Sequence, residues 1–109
     1  MGDMASLLSP AATPWVVSRL RSSPWYVTRN LTIAMGRRRE ATTLPVLQSL
    51  LQHDHAKVRR EAILALGRFG TSEASHALAD LAQSNRSSPE DRSLATRAME
   101  AASRPPEHS

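Results

Sequence analysis

Between Val58 and Gly70 the apolar residues Val58, Ala62, Ala65 and Leu66 recur at the spacing that lines one face of an α-helix, with charged residues between them. Moved back by 31 positions the pattern recurs: Val58 falls on Val27, Arg60 on Arg29, Ala65 on Ala34, Leu66 on Met35, Gly67 on Gly36 and Arg68 on Arg37. The register continues downstream, where Leu47 matches Leu78, Leu50 matches Leu81 and Gln52 matches Gln83. A fixed period running through two helices predicts stacked helix pairs, each with a first (A) and a second (B) helix.

Taken in order, Thr13-Pro14 opens a short B-type helix whose inward residues are Trp15 or Val16 together with Val17 and Leu20. Ser22-Ser23-Pro24 starts an A helix with Val27, Leu31, Ala34 and Met35 facing in, and Gly36 followed by Arg37-Arg38-Arg39 ends it. Thr42 or Thr43 caps the B helix that follows, with Leu44, Leu47, Leu50 and Leu51 inward. Asp54 is the expected N-cap of the second A helix, which Gly67 and Gly70 close. Thr71 or Ser72 opens the next B helix, with Ala74, Leu78 and Leu81 inward, and Ser88-Pro89 opens a last A-type helix ending near Ala102.

The expected organisation is a partly ordered N-terminal segment over residues 1–12 and a repeat domain over 13–102. That domain comprises a half repeat at 13–22, whole repeats at 23–53 and 54–84, and a half repeat at 88–102. Residues 103–109, rich in proline and charge, form a disordered tail. The fold class is all-α, a right-handed α-solenoid of about five helices plus the short N-terminal segment.

Composition narrows the chemistry. A chain of 109 residues without cysteine has no disulfide framework and no thiolate site, which fits a reducing, cytoplasmic setting. No apolar run is long enough to span a membrane, and the N-terminus lacks the basic and apolar regions of a signal peptide. Met1-Gly2-Asp3-Met4-Ala5-Ser6 has the bare myristoylation spacing, but the acid after the glycine argues for an ordinary chain start. Charge is uneven: residues 19–68 hold ten Lys/Arg against three Asp/Glu, whereas residues 69–109 hold four against six.

Asp54, Val58, Arg59, Ala62, Leu66 and Gly67, followed by the apolar spacing of the B helix, resemble the short HEAT-like repeat first named from phycobilisome lyases and found in bacterial repeat proteins. The resemblance implies that Arg59 reaches acidic or carbonyl groups in the inter-repeat turns. The first repeat departs from it, with Thr28 in place of Arg59 and Ser23 in place of Asp54.

Some proteins built from such repeats are enzymes. An iron-dependent hydroxylase of this kind uses His-Glu pairs, but the corresponding pair here is Arg60-Glu61, and a guanidinium does not ligate iron. His53-Asp54-His55 is the densest group of potential ligands, yet it sits at a helix junction and reads as two solvated turn histidines beside a cap. Trp15, Trp25 and Tyr26 invite comparison with aromatic-lined glycosylase clefts, but no carboxylate stands among them. The expectation is a non-enzymatic chain with no cofactor and no metal.

What remains is a basic ladder of Arg29, Arg37, Arg38, Arg60 and Arg68, thickened by Arg39, Lys57 and Arg59. Stacking aligns equivalent residues in rows about 10 Å apart. Such rows fit an acidic protein surface, making the chain an interaction or scaffolding module. The alternatives are non-specific binding to nucleic acid through phosphates and, by resemblance alone, a bilin lyase or chaperone-like role. Trp15, Val16 and Leu20 form a candidate self-association edge, covered by a second copy or by a preceding repeat of a longer array, with Met4, Leu7 and Leu8 as the local residues available to shield it.

Overall fold

The computed structural model describes residues 13–103, and these form six α-helices: α1 Thr13–Ser22, α2 Trp25–Arg38, α3 Leu44–Leu50, α4 Ala56–Phe69, α5 Ser72–Gln83 and α6 Pro89–Ser103. A 3₁₀ turn, Ala41–Thr43, leads into α3. The expectations for residues 1–12 and for 104–109 lie outside the described residues.

The helices lie in two layers. α2, α4 and α6 pack side by side in one, and α1, α3 and α5 follow one another in the other. Between the layers sits one apolar core, built from Leu20 of α1, Val46, Leu47 and Leu50 of α3, Val58, Ile63 and Leu66 of α4, and Leu78 of α5 among others. Alanine dominates where helices approach closely. A Cβ placed on Gly36 would stand 2.7 Å from the Ala65 Cβ, so α2 and α4 touch at a spacing that only glycine against alanine permits. Gly67 of α4 meets Ala98 of α6 in the same manner, at 3.1 Å.

The two equivalent A helices are both 14 residues long and are offset by the expected 31 positions, but they end differently from expectation. Gly36 lies inside α2, and the left-handed turn falls on Arg39 (φ 51°), whose N–H is donated to the Met35 carbonyl. In α4 the corresponding position is Gly70 (φ 65°). The caps differ too. Asp54 is exposed, and the N-cap of α4 is His55, whose Nδ1 accepts from Lys57 N at 3.1 Å. Thr43 makes no N-cap bond and donates instead to the Glu40 carbonyl. Thr71 and Ser88 do cap α5 and α6, accepting from Ala74 N and Asp91 N.

The inward stripe of α2 also needs correction. Val27, Leu31 and Ala34 are exposed and Met35 is half-buried, whereas Thr28, Thr32 and Gly36 are buried. The buried hydroxyls bond to backbone: Thr28 donates to the Leu20 carbonyl and Thr32 to the Thr28 carbonyl, each at 2.7 Å, which removes the cost of burying them. In α4 the expected stripe is buried throughout, joined by Ile63. The difference follows from neighbours. Ala65 belongs to the row of α4 that faces back onto α2, and the equivalent row of α2 meets no described helix.

Candidate functional site

Arg59 joins the loop ahead of α4 to the start of α6. Its Nε donates to Asp91 Oδ2 at 2.8 Å, and its Nη1 to the carbonyls of His53 and Asp54 at 2.8 and 3.0 Å. The bridge fastens the loop ahead of α4 to the first turn of α6, with both side chains largely shielded from water. Asp91, an acid in the first turn of α6, is an interior partner. In the first repeat Thr28 occupies the position of Arg59, and its bond to Leu20 ties α2 to α1 where the guanidinium would have done so.

Of the two histidines of His53-Asp54-His55, one is buried and the other half-buried. His53 is buried, and its Nδ1 accepts from His55 N at 3.0 Å. Burial pushes its imidazole below the ordinary value; Asp54 works in the opposite direction, and Arg21, His55 and Arg59 add to the lowering. His55 stacks on Trp25, ring centroids 4.1 Å apart and nearly parallel. Both Nδ1 atoms are therefore occupied as acceptors of backbone N–H groups. This arrangement leaves the pair building a turn, and the signal for it was the position of His55 directly ahead of the helix.

Trp25 is the centre of a second cluster at the N-terminal ends of α2 and α4. Arg29 and Lys57 lie over its ring, each at 5.3 Å, and Tyr26 meets it edge-on at 5.9 Å. Arg29 also donates from Nε and Nη2 to Asn30 Oδ1. Cation–π contact holds these side chains in place at the surface.

The expected ladder divides into two groups. Arg29 and Arg60 line one open hollow of about 900 Å³ running across α2, α4 and α6, together with Lys57, Arg97 and the acids Glu61 and Glu90. Arg37 and Arg68 line another, with Gly36 and Arg39, at the opposite ends of α2 and α4. Arg38 stands apart from both and pairs with Glu40 at 2.9 Å. The other layer has a different character: a hollow between α3 and α5 is lined by Gln48, Gln52, Glu73, His76 and Asp80 among others.

The expected self-association edge is only partly in place. Trp15 is 56 % exposed and Val16 is half-buried, but Leu20 is buried in the core and is not available to a partner. Val27 and Leu31, assigned to the interior by the apolar pattern, stand exposed on α2, as does Tyr26. Among the described residues no three His, Cys, Asp or Glu side chains come together as a metal site, and no helix is long and apolar enough to cross a membrane.

Comparison with known proteins gives one finding: a family model described as HEAT repeats matches residues 13–100. Neither the curated proteins nor the solved structures provide a match.

Proposed function

The chain belongs to the HEAT repeat family, and from that premise we propose that it is a non-enzymatic, cytoplasmic interaction module that receives an acidic protein surface on its α2–α4–α6 layer. HEAT repeats in general serve as interaction and scaffolding modules. The observation that carries the finer reading is the pairing of equivalent arginines from neighbouring helices: Arg29 with Arg60 in one hollow and Arg37 with Arg68 in the other. Arginine suits this use because its planar fork binds carboxylates bidentately.

Nucleic acid is the less favoured partner. Glu61 and Glu90 stand among the cations of the larger hollow, where they repel a phosphate backbone but complement the mixed charge of a protein surface. The test is a pull-down from the native cell with the wild type and with the double variant Arg29→Glu/Arg60→Glu, alongside fluorescence anisotropy on a generic duplex at about 0.15 M salt. Capture of an acidic partner, lost in the double variant, with weak duplex binding throughout, supports the reading. Tight duplex binding lost on the same charge reversal replaces it with the nucleic-acid one.

A further inference from the structure

The hollow at the C-terminal ends of α2 and α4 differs from the larger one in its charge. It encloses about 320 Å³ and is lined by Gly36, Arg37, Arg39 and Arg68, so among the described residues no carboxylate faces it. The acid nearest in sequence, Glu40, pairs with Arg38 at 2.9 Å. The ion pairs among the described residues are Arg38–Glu40 and Arg59–Asp91, which leaves Arg37, Arg39 and Arg68 without a carboxylate there. All three are exposed. Close packing gathers them: Gly36 lets α2 approach Ala65 of α4, and a Cβ at Gly36 would stand 3.8 Å from Arg68 Nη1.

The helix ends account for two of the three cations. Arg37 and Arg68 lie in the last turns of α2 and α4, where the dipole favours positive charge. Arg39 needs a further reason. It holds the left-handed conformation (φ 51°) that glycine supplies at the equivalent Gly70, and a side chain there costs about 1 kcal/mol. Strain of this kind concentrates at ligand-binding sites, and here it adds a third guanidinium to the hollow.

Three guanidiniums exceed what one carboxylate can use, since it accepts a single bidentate fork. A phosphate monoester carries about two negative charges and three acceptor oxygens, and so takes donors from more than one arginine. The carbonyls of the two last turns repel an anion that reaches the backbone. The anion is therefore held by the guanidinium tips in an open hollow, which encloses a free phosphate ion poorly. A phosphate carried on a polypeptide gains a second hold. Arg29 and Arg60 each stand eight residues ahead of Arg37 and Arg68, about 12 Å along the helices, and an extended chain covers that distance in about four residues. Glu61 and Glu90 in the larger hollow disfavour a chain with a phosphate at every step. We infer that the hollow of Arg37, Arg39 and Arg68 binds a phosphorylated side chain of a protein partner, whose acidic residues about four positions away meet Arg29 and Arg60.

This inference rests on the reading of the α2–α4–α6 layer as a surface for acidic protein. Its test is fluorescence anisotropy at about 0.15 M salt with labelled synthetic peptides in which a phosphoserine stands about four residues from a pair of glutamates, beside the same peptides unphosphorylated. The phosphorylated set is expected to bind about tenfold more tightly. Arg37→Gln with Arg68→Gln should erase that preference and leave the weaker binding of the unphosphorylated set unchanged, whereas Arg29→Gln with Arg60→Gln should weaken both sets alike. Arg39→Gly should lose part of the preference while its thermal midpoint rises, a combination that a purely structural role for Arg39 does not produce. Equal binding of the two sets overturns the inference and leaves the acidic-surface reading in place. Binding of neither set overturns both. Competition by inorganic phosphate as effective as that by unlabelled phosphopeptide makes the hollow a free-anion site and overturns the inference too, as does a generic duplex that binds more tightly than the phosphopeptides.

Discussion

The Arg59 guanidinium and the Asp91 carboxylate, 32 positions apart in sequence, meet at 2.8 Å and join two successive A helices through their turns. The same guanidinium satisfies two carbonyls of the loop that precedes its own helix. One side chain thus fixes the loop, the helix and the next helix relative to one another.

Removing Arg59 leaves Asp91 shielded without a counter-charge and strands the carbonyls of His53 and Asp54. Arg59→Ala is expected to cost about 2–4 kcal/mol. Asp91→Asn keeps an acceptor for Arg59 and removes only the charge, so it should cost less, about 1–2 kcal/mol. Chemical denaturation of the two variants checks both values, and equal losses would mean that Asp91 contributes only through its charge.

His53 sets a pH dependence. Its pKa is lowered in the folded chain, chiefly by burial, so folding favours the neutral imidazole. The stabilisation is fully present above the unfolded value of about 6.5 and is lost as pH falls from there through the folded value. Protonation at Nδ1 would also break the bond from His55 N. The thermal midpoint of the wild type is expected to drop between about pH 7 and pH 5. His53→Asn, whose carbonyl oxygen can stand in for Nδ1 but does not titrate, should flatten that limb. An unchanged slope in the variant would assign the acid limb to other groups.

Arg39 and Gly70 occupy equivalent left-handed positions at the ends of α2 and α4. Glycine adopts this conformation freely, whereas a side chain costs about 1 kcal/mol there. Arg39→Gly is therefore expected to stabilise the chain by about 0.5–1 kcal/mol, and Gly70→Ala to destabilise it by a similar amount. Space does not confuse the second result, since a Cβ on Gly70 meets nothing within 4 Å. Paired denaturation curves with opposite signs are the expected outcome.

The sequence revealed helix identity and the core of the second repeat, because Val58, Ala62, Ala65 and Leu66 have covered neighbours on both sides and their burial follows from periodicity alone. In the first repeat the same spacing misled. Periodicity places Val27 and Leu31 at a given angle on α2, but burial at that angle depends on whether another helix stands there. Thr28 and Thr32 were invisible as core residues because hydroxyls read as polar until their backbone acceptors are known. The arginine pairs were legible from the common offset, yet Arg38 was not, since Glu40 lies two residues on and draws it aside. Capping by His55 in place of Asp54 escaped notice because an imidazole nitrogen does the work usually given to a carboxylate.

Leu31 and Ala62 test that distinction directly, since they are the same repeat position in different surroundings. Ala62 is fully buried in the core, whereas Leu31 is 46 % exposed. A carboxylate at position 62 would lose its hydration with no partner placed to replace it, and it would also exceed the space left between closely packed helices. Ala62→Asp is expected to cost several kcal/mol, about the whole stability of a domain this small, and to leave the chain unfolded or nearly so. Leu31→Asp should cost only about 1 kcal/mol, because nearly half of the side chain already stands in water and a carboxylate there keeps its hydration. Thermal unfolding at low micromolar concentration, where association does not contribute, compares the two. If both substitutions unfold the chain, the α2 row is covered within the monomer and the two repeats are packed alike. If neither does, the assignment of the α4 stripe to the interior is wrong.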